Sequence, residues 1–226
     1  VKTLEDGKTG ISACAYKKVV GLKTVNECEK KSMNIDETEK WSILCAYQHL
    51  FLNKQIDCSA WAKLYECTLF RNIRFPVGKL YEDQFTTYKL FHCSQGVTYV
   101  DREMYYYFNR ENSIQNEQFT FRKMDELEAN LECVRFIEEK YPQLHEEVIC
   151  KLVSSCFHIL FSIDDKTKWK DQADQLKKII KENRWRMLIG RNINRKVRLG
   201  CLSSYFGFNL TRWIYLRSGV RGKINI

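Results

Sequence analysis

Apolar residues recur at helical spacing through the second half of the chain, whereas the first half mixes helical and extended patterns. In the second half this spacing predicts four helices, over Glu117–Lys140, Gln143–Ser162, Trp169–Gly190 and Arg195–Arg217. In the first half it predicts helices over Thr24–Lys31, Asp36–Leu52 and Glu82–Cys93. The sequence therefore indicates an α/β chain whose strands all lie in its first half.

Besides short extended pieces on either side of the Asp6-Gly7 turn signal, extended elements are expected at three places in that first half. Residues 59–65 read as a short apolar strand or turn, and β-branched and aromatic content predicts strands over 97–100 and 104–108. Pro76 and Gly78 exclude regular structure from the segment before the helix that begins at Glu82. We find no internal repeat and no low-complexity linker.

Composition is that of a globular protein and argues against a disulfide scaffold and against a structural zinc site. Of 226 residues 44% are apolar and 13% aromatic, which is enough for a substantial core. The ten cysteines form no C-x-x-C pair and several lie in apolar runs, so we expect reduced thiols. The four histidines form no metal-ligand pattern, so no structural zinc site is expected.

The positive charge of the chain is concentrated at its C-terminal end. The net charge is +9, and residues 184–226 carry ten basic side chains and no acidic one. The rest of the chain has 27 basic and 28 acidic residues, for a net charge of −1. Trp, Tyr and Phe are interleaved with the cations of this basic segment, a pattern typical of a helix lying on an anionic membrane surface. A solvated helical tail and a nucleic-acid contact remain the alternatives, the latter less favoured because no stacking platform is evident.

Candidate chemistry is concentrated where the Pro/Gly loop meets the predicted helix. Glu82 and Asp83 have a structural explanation, because acidic groups stabilise the positive end of a helix. The functional interpretation is that one carboxylate accepts a proton from a sugar hydroxyl. Trp61 and Tyr81 are candidates for sugar stacking and Lys63 for meeting phosphate oxygens, although aromatic residues are more often core and cations more often solvated.

A run of aromatic residues, Tyr105-Tyr106-Tyr107-Phe108, is the second unusual segment. Successive side chains of a strand face opposite sides, so one set is expected to pack on a helix while the other lines a cleft. That cleft would end at Arg110 and Ser113. A strand covered on both faces is the alternative.

Four sequence blocks resemble the second half of bacterial family 2 glycosyltransferases, enzymes of the GT-A fold that build cell-surface polysaccharide. In order they are Trp61-Ala62-Lys63-Leu64-Tyr65, Ile73-Arg74-Phe75-Pro76-Val77-Gly78, Tyr81-Glu82-Asp83-Gln84-Phe85-Thr86-Thr87, and Tyr105-Tyr106-Tyr107 with Arg110-Glu111-Asn112-Ser113-Ile114. Each block alone is weak, but the four occur in the family's order and spacing over residues 59–114. Beyond about residue 140 the similarity is only to a generic helical tail.

The resemblance implies an inverting sugar transfer from a nucleotide-sugar donor to a glycan or lipid-linked acceptor. The family's E-D motif corresponds to Glu82 and Asp83, and Asp83 would be the base. Trp61, Lys63, Tyr81, Arg110 and Ser113 would line the acceptor site. Mg²⁺ or Mn²⁺ would neutralise the leaving diphosphate in the complete enzyme.

The chain departs from the family in one large respect. The family's first half carries the nucleotide-binding strands, a D-D-G-S-like segment and the D-x-D metal motif, and none is found here. We therefore expect residues 1–115 to be the C-terminal part of a GT-A-like domain, residues 116–226 to be a helical extension, and the chain alone to be inactive. The expected location is cytoplasmic, peripheral at the inner face of the cell membrane. The alternative is a non-catalytic binding module whose basic tail contacts nucleic acid or an acidic partner.

Overall fold

A computed structural model describes Glu5 and residues 8–19, 38–108, 118–165 and 167–217. The helix predicted over Thr24–Lys31 lies outside these residues, as do the candidate residues Arg110 and Ser113. The mixed α/β architecture expected from the sequence is confirmed, with a small sheet and a larger helical part.

Within the described ranges the sheet has four strands in the order β2-β4-β1-β3. They span Ile11–Val19 (β1), Thr38–Trp41 (β2), Lys63–Tyr65 (β3) and Val97–Phe108 (β4). The two central strands, β1 and β4, run parallel from Ser12 opposite Thr98 to Val19 opposite Phe108, with a register shift at Ala15. Both edge strands are antiparallel to their neighbours. The parallel pair makes the sheet mixed, as in α/β folds whose faces are covered by helices.

Among the residues that the structure describes, seven α-helices surround and extend this sheet. They are Ile43–Phe51 (α1), Glu82–Cys93 (α2), Met124–Lys140 (α3), His145–Ser162 (α4), Lys170–Ile189 (α5), Arg195–Ser204 (α6) and Phe208–Arg217 (α7). Short 3₁₀ turns occupy Cys67–Phe70, Phe121–Lys123 and Pro142–Leu144. Helix α4 is the most buried of them, because apolar residues cover nearly its whole circumference. One apolar core runs from Ile11 in the sheet to Cys201 in α6.

The prediction of a helix over Asp36–Leu52 was wrong for the first part of that range. Residues Thr38–Trp41 form strand β2, which pairs with β4 so that Trp41 lies opposite Val97. Helix α1 begins only after Ser42, whose hydroxyl accepts the backbone N–H of Cys45 at 3.3 Å. The helical pattern of the sequence continued upstream of this cap, but the pairing with β4 supplied partners that overrode it.

Three further boundaries differ from the prediction. The separate strands predicted over 97–100 and 104–108 form one continuous strand because β1 pairs along nearly its whole length. The single helix expected over Arg195–Arg217 is divided into α6 and α7 at Gly207, whose φ is +116°. The helix expected from Glu117 begins at Met124.

Candidate functional site

Asp83 lies in the first turn of α2, immediately after the Pro/Gly loop. Tyr81 precedes the helix in the left-handed region, with φ of 58°, and turns the chain from the loop into α2. Glu82 is exposed to solvent, whereas Asp83 is half-buried. An Asp83 carboxylate oxygen accepts the backbone N–H of Gln84 at 2.8 Å. Adjacent carboxylates at the same helix start therefore occupy different environments.

The environment of Asp83 keeps its proton bound at higher pH than usual. Burial, assisted by the negative charges of Glu82 and Asp57, raises the pKa of this carboxyl from 3.8 to about 6. The Gln84 N–H and the buried ammonium group of Lys151 act in the opposite direction. A carboxyl group with a pKa near 6 is suited to accept and release protons near neutral pH.

Lys63, predicted to meet phosphate oxygens, lies inside the protein with 2% of its side chain exposed. Its ammonium group donates to the Ser59 carbonyl oxygen at 2.8 Å and lies 3.9 Å from a carboxylate oxygen of Asp57. The same Asp57 oxygen accepts the backbone N–H of Ser59 at 3.0 Å as well as its hydroxyl group. Burial lowers the pKa of Lys63, while Asp57 and Asp83 oppose that change. Lys63 therefore anchors the loop that faces Asp83.

Trp61 brings the aromatic run of β4 against this loop. Its ring stacks on Tyr105 and Tyr107, with centroids 4.9 Å and 5.0 Å away, and meets the edge of Tyr16 at 4.6 Å. Tyr105 and Tyr107 are two residues apart on a strand and so share one face. Ala62, next to Trp61, has a φ of 56°. Such left-handed non-glycine residues are uncommon and often occur at functional sites.

The structure describes five of the seven predicted site residues, and they lie on two segments of the chain. Tyr81, Glu82 and Asp83 lie at the start of α2, and Trp61 and Lys63 lie in the loop before β3 and in β3. Thr87 of α2 joins the two segments by donating its hydroxyl to the Cys58 carbonyl oxygen at 2.7 Å. A hollow of about 290 Å³ opens beside Asp57. Asp83 does not line it; its lining includes Tyr16, Lys18, Lys54, Asp57 and Tyr99.

The sequence analysis did not identify Asp57 and Lys151, two buried charged residues that change the pKa of Asp83. Lys151 lies in the apolar helix α4, where burial disfavours its charge. The Cys58 sulfur and the Glu126 carboxylate more than offset that burial, so the pKa of Lys151 is raised. A lysine within the run Cys150-Lys151-Leu152-Val153 was a usable signal. Asp57 offered none, because its partner Lys63 is brought to it only by the fold.

A layer of buried polar groups continues from Asp83 into the helical part. Next to Asp83, Gln84 accepts from the Asn130 amide at 2.9 Å, and the same amide lies 3.1 Å from the Ser155 hydroxyl. Glu126, also buried, lies 2.9 Å from a ring nitrogen of His158. These contacts connect α2, α3 and α4 next to Asp83, the candidate base.

No metal site is formed by these groups. Among the residues that the structure describes, no cluster of three His, Cys, Asp or Glu side chains is placed to hold a metal ion. The carboxylate of Asp57 is instead paired with Lys63, and that of Asp83 accepts a backbone N–H group. The divalent cation expected for the complete enzyme therefore finds no fitting ligand set in this part of the protein.

The fold is similar to that of a solved glycosyltransferase structure. A solved structure described as S. aureus TarS 1-349 in complex with UDP-GlcNAc superposes with a TM-score of 0.56 at 15% identity, over 96% of this chain and 62% of that one. A stretch of 56 residues is 41% identical to glycosyltransferase GlyA of Streptococcus pneumoniae, which is 25% of this chain and 8% of GlyA. No model of a protein family matches.

The resemblance to glycosyltransferases drawn from the four sequence blocks is thereby confirmed. The chain spans less than two thirds of the length of each of these two proteins. The structural similarity, at such low sequence identity, concerns the fold alone.

Proposed function

We propose that this chain is the acceptor-side part of an inverting glycosyltransferase that uses a nucleotide-sugar donor, with Asp83 as general base. The observation that carries the proposal is the half-buried carboxyl group of Asp83, whose pKa is raised to about 6, at the start of α2. The fold of the UDP-GlcNAc complex and the similarity to GlyA support the transferase class and a UDP-linked donor. The donor-binding and metal-binding groups would lie elsewhere in the full protein.

In the proposed reaction Asp83 takes the proton of the acceptor hydroxyl while that oxygen attacks the anomeric carbon. The bond from this carbon to the diphosphate breaks on the opposite face, so the configuration inverts and the nucleoside diphosphate leaves with the electron pair. The exposed carboxylate of Glu82 keeps the pKa of its neighbour high. Trp61 and Tyr81 are proposed to contact the sugar, and Lys63 to hold the opposing loop.

The acceptor is proposed to be a glycan or a lipid-linked glycan. A lipid-linked acceptor would require the enzyme to work at the inner face of the cell membrane. In the part of the chain that the structure describes, none of the helices has the length and apolar character needed to cross a bilayer.

The decisive experiment is Asp83→Asn in the full protein, with release of nucleoside diphosphate as the measurement. We expect turnover to fall at least about 100-fold, because a positioned base contributes roughly that much or more. The wild-type rate should fall below a pH of about 6, as the carboxyl becomes protonated.

Asp171→Asn is the matched control, because Asp171 occupies the same second position of helix α5 and is exposed. It removes a carboxylate charge from the same position of a helix without touching the site. Full turnover by Asp83→Asn, or equal losses in both variants, would rule out Asp83 as the base.

A further inference from the structure

Exposed apolar side chains are concentrated on the last three helices. Trp185 and Phe206 expose 64% and 76% of their surfaces. The other exposed large apolar residues of this region are Ile189, Leu199, Leu202, Tyr205, Leu210 and Trp213. We call these eight residues the tail face. Soluble surfaces rarely collect so many large apolar groups unless they bind something.

The tail face is distinct from the side of these helices that enters the core. Met187, Val197 and Cys201 are buried against α4 and its neighbours, and Tyr215 packs on Phe161 with ring centroids 4.8 Å apart. Each of these helices therefore has other residues that face the core. Core packing accounts for one side of α5, α6 and α7, and the tail face is a second apolar surface.

The helices that carry the tail face pack consecutively and are joined by arginine contacts. The Arg184 guanidinium lies 3.7 Å from the ring centroid of Tyr205 and donates to the Ser204 carbonyl oxygen at 3.4 Å. Arg217 lies 4.5 Å from the ring of Trp213. The arginines thus hold exposed aromatic rings in place while keeping their own charge at the surface.

The tail face lies within a stretch of sequence whose charged side chains all have one sign. Residues 184–217 contain eight basic and no acidic side chains. Arg191, Arg195 and Lys196 are exposed near the start of α6. Aromatic and aliphatic groups interleaved with cations are complementary to lipid headgroups of negative charge with acyl chains beneath them.

A hollow of about 450 Å³ opens at Phe206, within the tail face. Its floor is the apolar end of α4, including Leu160, Phe161 and Ile163, and its wall includes Gly207 and Leu210. At Gly207 an added side-chain carbon would meet nothing within 4 Å. Lys177, Asn209 and Arg212 also line this hollow, so it combines apolar surface with cationic and amide side chains.

We infer that the tail face docks on an anionic lipid surface, with the exposed aromatic and aliphatic side chains entering the headgroup region and the arginines binding lipid phosphates. The inferred docking depends on the proposed function in one respect, which is the identity of the acceptor. Docking there would hold the enzyme where a lipid-linked acceptor lies.

The test measures co-sedimentation of the full protein with phosphatidylcholine vesicles, with and without phosphatidylglycerol. We expect binding only to the anionic vesicles and its loss at high salt. The double variant Arg191→Gln, Arg195→Gln should weaken partition about 25-fold, because each near-surface cation contributes about fivefold. Trp185→Ser with Phe206→Ser should weaken it at least about tenfold.

Two matched control variants remove exposed groups of the same kinds elsewhere. Lys40→Gln with Arg71→Gln removes two exposed cations, and Val77→Ser with Phe121→Ser removes two exposed apolar groups. Both should bind vesicles like the wild type. Absence of vesicle binding at low salt, or equal losses in the controls, would overturn the inference. So would tail-face variants that change only the oligomeric mass in light scattering, which would identify a protein interface instead.

Turnover of a soluble acceptor separates this inference from the proposed function. Tail-face variants should keep that turnover, and Asp83→Asn should keep vesicle binding. A protein that binds anionic vesicles without any transfer activity would contradict the proposed function alone.

Discussion

At Asp83 the requirements of stability and of proton transfer oppose each other. Half-burying a carboxylate beside Glu82 raises its pKa from 3.8 to about 6, so the charged form is costly to the folded state. Ionisable groups whose pKa is shifted at a cost to stability are typical of functional sites. A carboxylate that served only to stabilise the helix start would be expected to have its pKa lowered instead.

Asp83→Asn should therefore stabilise the protein at neutral pH. Because the folded state binds the proton more tightly than the unfolded chain, stability falls as pH rises from about 4 to about 6 and stays lower above that range. We expect the variant to gain about 2 kcal/mol at a pH of about 7.5 and little at a pH of about 4, measured by urea unfolding. A loss of stability at neutral pH, with Asp171→Asn unchanged, would contradict this.

At the scale of elements, the turn between α2 and β4 fixes the sheet beneath the site. Gly96 has a φ of +149°, and a side-chain carbon there would lie 2.5 Å from the carbonyl oxygen of Trp41. Trp41 belongs to β2 and pairs with Val97 of β4, so that oxygen cannot move without breaking the sheet edge. Only glycine suits this backbone region.

Gly96→Ala should destabilise the protein by about 3 kcal/mol or more, as judged from thermal unfolding. Gly78→Ala provides the comparison, because Gly78 also has a positive φ, of +80°, but nothing lies within 4 Å of the added carbon. It should cost about 1 kcal/mol. Equal losses in the two variants would mean that backbone strain, and not the contact with Trp41, is responsible.

At the scale of the whole molecule, one continuous core joins the sheet to the helical part. The core reaches from Ile11 to Cys201, and buried Asn130 and Lys151 extend the polar layer behind Asp83 into α3 and α4. The helical part therefore contributes to the electrostatics of the candidate site. The division at residue 115 stays a prediction.

The chain alone should not transfer sugar, because the residues that the structure describes include no fitting metal ligands and the chain covers 62% of the TarS structure it resembles. The measurement is release of nucleoside diphosphate from a UDP-sugar, with the full protein as positive control. Turnover by the isolated chain that disappears in Asp83→Asn would contradict the prediction while supporting the base.

The sequence by itself determined the helical second half, the basic aromatic tail and the placement of Asp83 at a helix start. These follow from spacing and charge within a few turns of one element, and the four helical regions and the start of α2 were located on that basis. Arg110 and Ser113 lie outside the described residues, so their part in the site stays a prediction.

Only the tertiary structure decided which residues surround Asp83 and which parts of the chain are strands. Strand β2 exists because β4 pairs with it, and Asp57, Lys63 and Lys151 meet the site from three different elements. The same holds for the tail face, since burial against α4 decides which apolar residues of the tail remain exposed. Such contacts join residues far apart in sequence, and local periodicity carries no information about them.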